Sequence, residues 1–316
     1  MNQRRCLYCY QPLPDEARDF HAVCSKKFFG VETPPELALT NDKMQELTKD
    51  IVLRSVAVTG VQPKLSLALD KDPGNRKRLR FTIVGLWGHF ILKPPTPEFP
   101  FLPENEDLTM HLAKIFGLRT AEHSLIRLES GELAYITKRF DRSGEERLPM
   151  EDMCQLTETL TSDKYRGSME KIGKCIWSFA SRPGLAAISF FEMVLFSYLT
   201  GNADMHLKNF ALLTQTDNEI AMAPAYDLVC TKIAIPDDKE ESALAINGRR
   251  SKLERRDFDA LALNLKIPVR STQNIYARFG KKIKEAEQWI EFSFLPAELK
   301  DQYLQIIHAS SAKIGL

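Results

Sequence analysis

Two periodicities divide the chain. From residue 51 to about 140, apolar residues come in short β-rich runs at 52–58, 65–69, 81–84, 90–93, 124–128 and 133–140. Turn-forming stretches separate several of them: Thr59-Gly60-Val61-Gln62-Pro63, Asp72-Pro73-Gly74-Asn75 and Ser130-Gly131. Short runs bounded by such residues read as strands. One stretch breaks the pattern. At 104–116, Leu108, Leu112 and Ile115 share a helical face and Gly117 follows as a stop. Beyond Arg147 apolar residues recur at three and four, which predicts helices over 168–180, 188–199, 253–263, 272–291 and 297–309. The expected fold is α+β with two lobes, a β-rich one at 41–141 and a helical one at 142–316. A compact segment, 1–40, precedes them.

Composition narrows the possibilities. At 316 residues the chain can bury two cores, and 44% hydrophobic with 27% charged residues is ordinary for a globular protein. The formal net charge of +1 supplies no cationic excess for binding nucleic acid through phosphates. Neither direct sequence-specific nucleic-acid binding nor membrane insertion is expected. The basic runs at 76–78 and 249–256 read as solvated faces. The apolar run at 188–199 is interrupted by Glu192 and falls short of the roughly eighteen apolar residues of a membrane span. No apolar stretch follows Arg4 and Arg5 as in a secretory leader. Six cysteines without such a leader point to a reducing compartment, the cytoplasm.

Three of those cysteines lie in the first 40 residues. Cys6-x2-Cys9 followed by His21-x2-Cys24 offers three sulfurs and an imidazole at spacings suited to tetrahedral Zn²⁺. The alternative is a set of small buried hydrophobes under a loop, since free cysteine is among the most buried residue types.

The most pointed pattern is Asn202-Ala203-Asp204-Met205-His206-Leu207-Lys208-Asn209, with Asp227 eighteen residues further on in Ala225-Tyr226-Asp227. Protein kinases use this order. One Asp accepts the substrate hydroxyl proton, an Asn five residues later holds Mg²⁺, and a later Asp holds metal against the ATP phosphates. Upstream, Lys93 ends the apolar run 90–93, and Glu106 or Glu104 at the start of the following helix could pair with it. The turn carrying Val58, Thr59 and Gly60 is the candidate phosphate loop. With one glycine it fits neither G-x-G-x-x-G nor the Walker pattern. Lys138, Arg139 and Phe140 end the last strand of the first lobe, where backbone groups could meet an adenine edge. His206 is either a second base or a structural hydrogen bonder. Lys208 could neutralise charge developing on a phosphate or be a solvated loop lysine.

Taken together, the segments Thr59-Gly60-Val61-Gln62-Pro63-Lys64, Phe90-Ile91-Leu92-Lys93-Pro94, Glu104-Asn105-Glu106, Lys138-Arg139-Phe140-Asp141-Arg142, Asn202 to Asn209 and Ala225-Tyr226-Asp227 resemble the HipA-like Ser/Thr kinase toxins of bacterial toxin–antitoxin systems. The resemblance spans roughly residues 50 to 310. It implies that Lys93 contacts ATP phosphates and that 137–140 is the hinge. It makes Asp204 the catalytic base, has His206 and Lys208 assist with phosphate, and gives Mg²⁺ to Asn209 and Asp227. Members of the family phosphorylate aminoacyl-tRNA synthetases, are restrained by a helix-turn-helix antitoxin, and silence themselves by phosphorylating the Gly-rich loop. This chain lacks the additional N-terminal domain of longer members and looks more like the compact HipT branch, in which a small third protein acts as antitoxin. Where the family carries a phosphorylated loop serine this chain has Ala57, so Thr59 and then Ser55 become the acceptor candidates. Two rival readings remain: a small-molecule kinase of the same two-lobed class, and a catalytically inactive kinase-fold binding module.

Overall fold

The computed structural model describes residues 4–44, 46, 64–71, 79–84, 88–144 and 146–316. The expected strand 52–58, the turn at 72–75, the loop residues Val58, Thr59 and Gly60, and the acceptor candidate Ser55 lie outside the described residues. The chain forms two compact units. The first comprises Met1–Asp107, Ala121–Phe140 and Phe292–Phe294, and the second Leu108–Thr120, Asp141–Glu291 and Leu295–Leu316.

The first unit is built on five antiparallel strands: β1 (Leu65–Lys71), β2 (Leu79–Val84), β3 (Phe90–Lys93), β4 (His123–Arg127) and β5 (Leu133–Lys138), in the order β2-β1-β3-β5-β4. Strand alternation explains the core. Leu65 pairs with Leu92 and Leu67 with Phe90, and all four are buried. Gly88 is required just before β3, because a Cβ there would lie 2.3 Å from Ser66 Oγ and 2.7 Å from the Leu67 carbonyl.

The Cys/His segment belongs to this core. Its helix α1 (Ala22–Phe29) ends at Gly30, in the left-handed conformation that favours glycine. Phe28 and Phe29 meet Phe81 and Phe90 of the sheet with ring centroids 5.9 Å apart for both the Phe28–Phe90 and Phe29–Phe81 pairs. Cys6, Leu7, Leu13 and Phe20 share the same apolar cluster as Leu65, Phe90, Leu125 and Ile136.

Helix α2 (Leu102–Ile115) starts two residues before the periodicity indicates, and every residue from 102 to 113 is buried. That burial includes Glu104, Asn105, Glu106, Asp107, Thr109 and His111. Buried carboxylates are uncommon unless they are paired, and so mark a place where the fold does something other than pack.

The second unit is mainly helical: α3 (Met169–Phe179), α4 (Pro183–Leu199), α5 (Arg255–Asn264), α6 (Val269–Phe292) and α7 (Ala297–Ile314). Helix α4 begins five residues earlier than its apolar run because Pro183 occupies the first turn, where its missing N–H costs nothing. Glu192, which interrupts the run, is largely buried and forms a 2.6 Å ion pair with Arg278.

Strands are also present beyond Asp141. A ribbon pairs β6 (Arg142–Ser143) with β7 (Glu146–Arg147), and a three-stranded sheet joins β8 (Met150–Asp152), β9 (Ala211–Thr214) and β10 (Ile220–Met222) in the order β10-β9-β8. None exceeds four residues, too short for an alternating pattern to stand out. No helix of the described residues is long and apolar enough to cross a membrane.

Candidate active site

Lys93 ends the central strand β3, paired opposite Tyr135 of β5. Its side chain is 10% exposed and its Nζ donates to Glu106 Oε1 at 2.6 Å, with the Glu106 side chain fully buried. The structure therefore chooses between the two carboxylates: Lys93 pairs with Glu106. Glu104 has another environment, where burial, with a smaller push from Asp107, raises its carboxyl pKa to about 7. Removing either member of the Lys93–Glu106 pair would strand a charge in a poorly solvated site, at a cost of about 3–5 kcal/mol.

The residue after Glu106 is also tied down. Asp107 Oδ2 accepts from the Tyr10 hydroxyl at 2.7 Å, and Asp107 Oδ1 lies 2.7 Å from His123 Nδ1 on β4. At the end of β5 the backbone donors are engaged within the unit. The N–H of Lys138 donates to the Glu122 carbonyl and that of Arg139 to the His89 carbonyl, both at 2.8 Å. Lys138 Nζ also bonds Glu122 Oε2 at 2.6 Å, while Phe140 is half-buried. An adenine-facing role for this segment has to draw on its other groups.

In the second unit, the Asp204 loop starts where α4 ends. Gly201 has φ 66°, and a Cβ there would meet Ile306 Cγ2 at 2.9 Å, so the left-handed turn and the close approach both call for glycine. Thr231 Oγ1 donates to the Gly201 carbonyl at 3.0 Å and accepts the Ala203 N–H at 2.8 Å. Within the loop, the Asp204 N–H donates to Asn202 Oδ1 at 3.2 Å. The Asp204 carbonyl accepts from the His206 N–H at 2.8 Å and from Asn209 Nδ2 at 3.0 Å. The spacing of five between Asp204 and Asn209 is thus closed by a hydrogen bond. The bond also assigns the amide, since Nδ2 is the atom that donates.

The Asp204 side chain is exposed, and the Tyr165 hydroxyl donates to its Oδ1 at 2.7 Å. His206 is buried, and burial pushes its imidazole pKa down against the opposing pull of Asp204 and Asp227, with Lys164 adding to the lowering. Asp227 lies next to the loop in space as well, because the hydroxyl of its neighbour Tyr226 reaches the Lys208 carbonyl. Among the described residues His206 Nδ1 has no hydrogen-bond partner. Lys208 Nζ donates to Asp152 Oδ2 at 2.7 Å, and the Lys208 carbonyl accepts the Tyr226 hydroxyl at 2.7 Å. Asp227 itself is left-handed at φ 58°, a conformation that Asp tolerates better than most residues. The structure brings together Asp204, His206 and Asn209, with Asp227 nearby, and engages Lys208 with a carboxylate.

The donor set suits a hard cation. Asn209 supplies an amide oxygen and Asp227 a carboxylate, the oxygen ligands that Mg²⁺ takes alongside phosphates and water. The orphaned His206 nitrogen beside them is an observation in the same sense, since a buried polar atom normally has a partner.

Residues 56–288 match the HipA-like C-terminal domain family. The chain belongs to that family. Y4dM of Sinorhizobium fredii, whose name carries a provisional kinase label, is 31% identical over 252 residues, covering 73% of this chain and 60% of that protein. The serine/threonine-protein kinase toxin HipA of Shewanella oneidensis is 30% identical over 212 residues, covering 61% of this chain and 47% of its own length. The chain thus spans about half to three-fifths of these relatives. Among solved structures, Shewanella oneidensis MR-1 HipA, determined with HipB and its operator DNA, aligns with a TM-score of 0.64 at 22% identity over 90% of this chain and 75% of that one. The Helicobacter pylori proinflammatory kinase CtkA aligns with a TM-score of 0.52 at 18% identity, over 71% and 87%. The fold is accordingly α+β and kinase-like, with the antiparallel sheet in the N-terminal part and helices in the C-terminal part.

Several residues of this family member escaped sequence reasoning. Tyr165 reaches Asp204 across 39 positions and Asp152 reaches Lys208 across 56. Tyr165 carries no local signal. Asp152 does carry one: Asp152-x-x-Gln155 forms a capping box on the helical turn Met153–Leu156, and this signature is readable in a sequence.

Proposed function

We propose that this protein is an ATP- and Mg²⁺-dependent serine/threonine protein kinase acting as the toxin of a bacterial toxin–antitoxin system, with an aminoacyl-tRNA synthetase as substrate. The observation that carries the reading is the Asp204 loop: an exposed carboxylate oriented by Tyr165 and closed onto Asn209 by a hydrogen bond. Asp204 accepts the proton of the substrate hydroxyl, and Tyr165 holds the carboxylate in one orientation. Asn209 Oδ1 and the Asp227 carboxylate hold the metal, which when bound offsets phosphate charge. Lys93, kept extended by Glu106, presents its ammonium to phosphate oxygens. His206, whose pKa burial pushes down, offers Nδ1 to a phosphate group. Lys208 is delivered from Asp152 as negative charge builds on the transferred group.

Belonging to the HipA-like family supports the toxin role, a cytoplasmic location and restraint by a helix-turn-helix antitoxin, with a small third protein as a further partner. Phosphorylation of Thr59, or of Ser55, in the candidate phosphate loop would act as a brake, because a phosphate adds about −1.5 to −2 charge beside the nucleotide.

The test is phosphotransfer from γ-labelled ATP into a bacterial lysate, with and without Mg²⁺. Label in one protein band of synthetase size, absent with Asp204→Ala, is the expected result. Label only in small molecules, or none at all with nucleotide bound, would overturn it in favour of a small-molecule kinase or an inactive binding module. Mass spectrometry of the active protein and of Asp204→Ala tests the brake: phosphate at Thr59 or Ser55 in the first alone is expected.

A further inference from the structure

We propose that Cys6, Cys9, His21 and Cys24 bind one Zn²⁺, and that the metal-held loop fixes the start of helix α2 through Tyr10. The four donor atoms all lie within 4.8 Å of one another. Cys9 Sγ is 3.5 Å and Cys24 Sγ 3.7 Å from His21 Nδ1. A tetrahedral ion with Zn–S of about 2.3 Å and Zn–N of about 2.0 Å sets its ligands roughly 3.5–3.8 Å apart, so the cluster needs only small adjustments to close.

The histidine identifies its own metal-facing atom. His21 Nε2 lies 2.9 Å from the Pro12 carbonyl. A carbonyl can only accept, so Nε2 carries the hydrogen. In the neutral ring Nδ1 then keeps a lone pair, and Nδ1 is the nitrogen turned toward the two sulfurs. Metal-bound histidines have their other ring nitrogen engaged in the same way. Exposure argues against ordinary core thiols. Cys6 is buried, but Cys9, His21 and Cys24 are each only partly covered. The backbone also folds the first pair into a tight turn: the Tyr10 N–H donates to the Cys6 carbonyl and the Cys6 N–H to the Gln11 carbonyl, both at 2.9 Å.

That turn is connected to the sheet and to α2. The Leu7 carbonyl, between the first two cysteines, accepts from the Leu125 N–H at 3.3 Å and from Ser124 Oγ at 3.2 Å. Tyr10, one residue after Cys9, is fully buried and donates to Asp107. Asp107 is the neighbour of Glu106, the partner of Lys93. Fixing the Cys6–Cys9 turn therefore fixes the first half of α2, and with it the direction of the Lys93 ammonium. Only the use made of Lys93 rests on the kinase reading; the metal and the clamp do not. Binding releases the thiol protons to solvent and couples the metal to local folding.

The full chain, purified without chelator, should hold about one equivalent of zinc by elemental analysis. Cobalt replacement should give the visible bands of a tetrahedral thiolate site, and Cys6→Ser with Cys24→Ser should abolish both. A native chain without metal that also takes up neither zinc nor cobalt would overturn the site. Tyr10→Phe separates the clamp from the metal. It should keep one equivalent of zinc, while hydrogen exchange in residues 102–107 accelerates about tenfold and that of 65–71 stays unchanged. Unaltered exchange in 102–107, with zinc retained, would overturn the clamp.

Discussion

The Asp204 loop and the Lys93–Glu106 pair solve opposite problems. In the loop the charged group is exposed, and what is held rigid is the backbone around it: the N–H and carbonyl of Asp204 and the amide of Asn209 are all engaged within eight residues. In the pair the charges themselves are held, 10% and 0% exposed and thirteen residues apart. In the proposed kinase role Asp204 has to meet a substrate and cannot be buried, so its position has to come from neutral groups. A lysine that only has to point one way can be fixed by an opposite charge, at the risk of a large penalty if that charge is lost.

Activity and stability should therefore separate. Asp204→Ala should lower phosphotransfer by about 10²–10⁴-fold. It should shift stability by less than about 0.5 kcal/mol, as for an exposed side chain whose backbone bonds survive. A kinase assay beside a thermal melt checks both, and a large loss of stability would break the contrast. Glu106→Gln should instead destabilise the fold by about 3–5 kcal/mol. Adding Lys93→Met should recover much of that in denaturant unfolding without restoring activity.

Glu104 sharpens the same point through pH. Its folded-state pKa is raised to about 7 from an ordinary 4.5 because burial disfavours its charge. Between those values the folded state binds more protons than the unfolded state. The contribution of the protonated form is fully present below about 4.5 and lost as pH rises through about 7. Glu104→Gln should stabilise the protein at pH 8 by up to about 3 kcal/mol, the equivalent of the shift. It should also flatten the stability profile between pH 5 and 7, and unfolding series at several pH values would read this. The smallest effect is expected at Tyr165. Tyr165→Phe removes one hydrogen bond of about 1 kcal/mol from Asp204, or roughly fivefold in turnover, with little change in stability. A loss as large as that of Asp204→Ala would make Tyr165 a reacting group rather than a positioning one.

The local chain determined a good deal by itself. Strand β3 occupies the residues its apolar run indicates, and α2, α3 and α7 start within two residues of their periodic stretches. The Asp204–Asn209 spacing, the Asp227 that follows, and the Cys6, Cys9, His21 and Cys24 set are likewise visible as one-dimensional patterns. All of these depend on separations along the chain, which backbone geometry converts directly into proximity.

Tertiary structure decided what spacing leaves open. Glu104 and Glu106 are equivalent in sequence until the helix is placed against β3, and then one points at Lys93 and the other does not. The order β2-β1-β3-β5-β4, the partnership of Tyr165 with Asp204 and that of Asp152 with Lys208 all join distant residues. No pattern along the chain carries these, because each is selected by the burial of whole faces and by the need of buried polar atoms for partners. Those conditions exist only once the chain has folded.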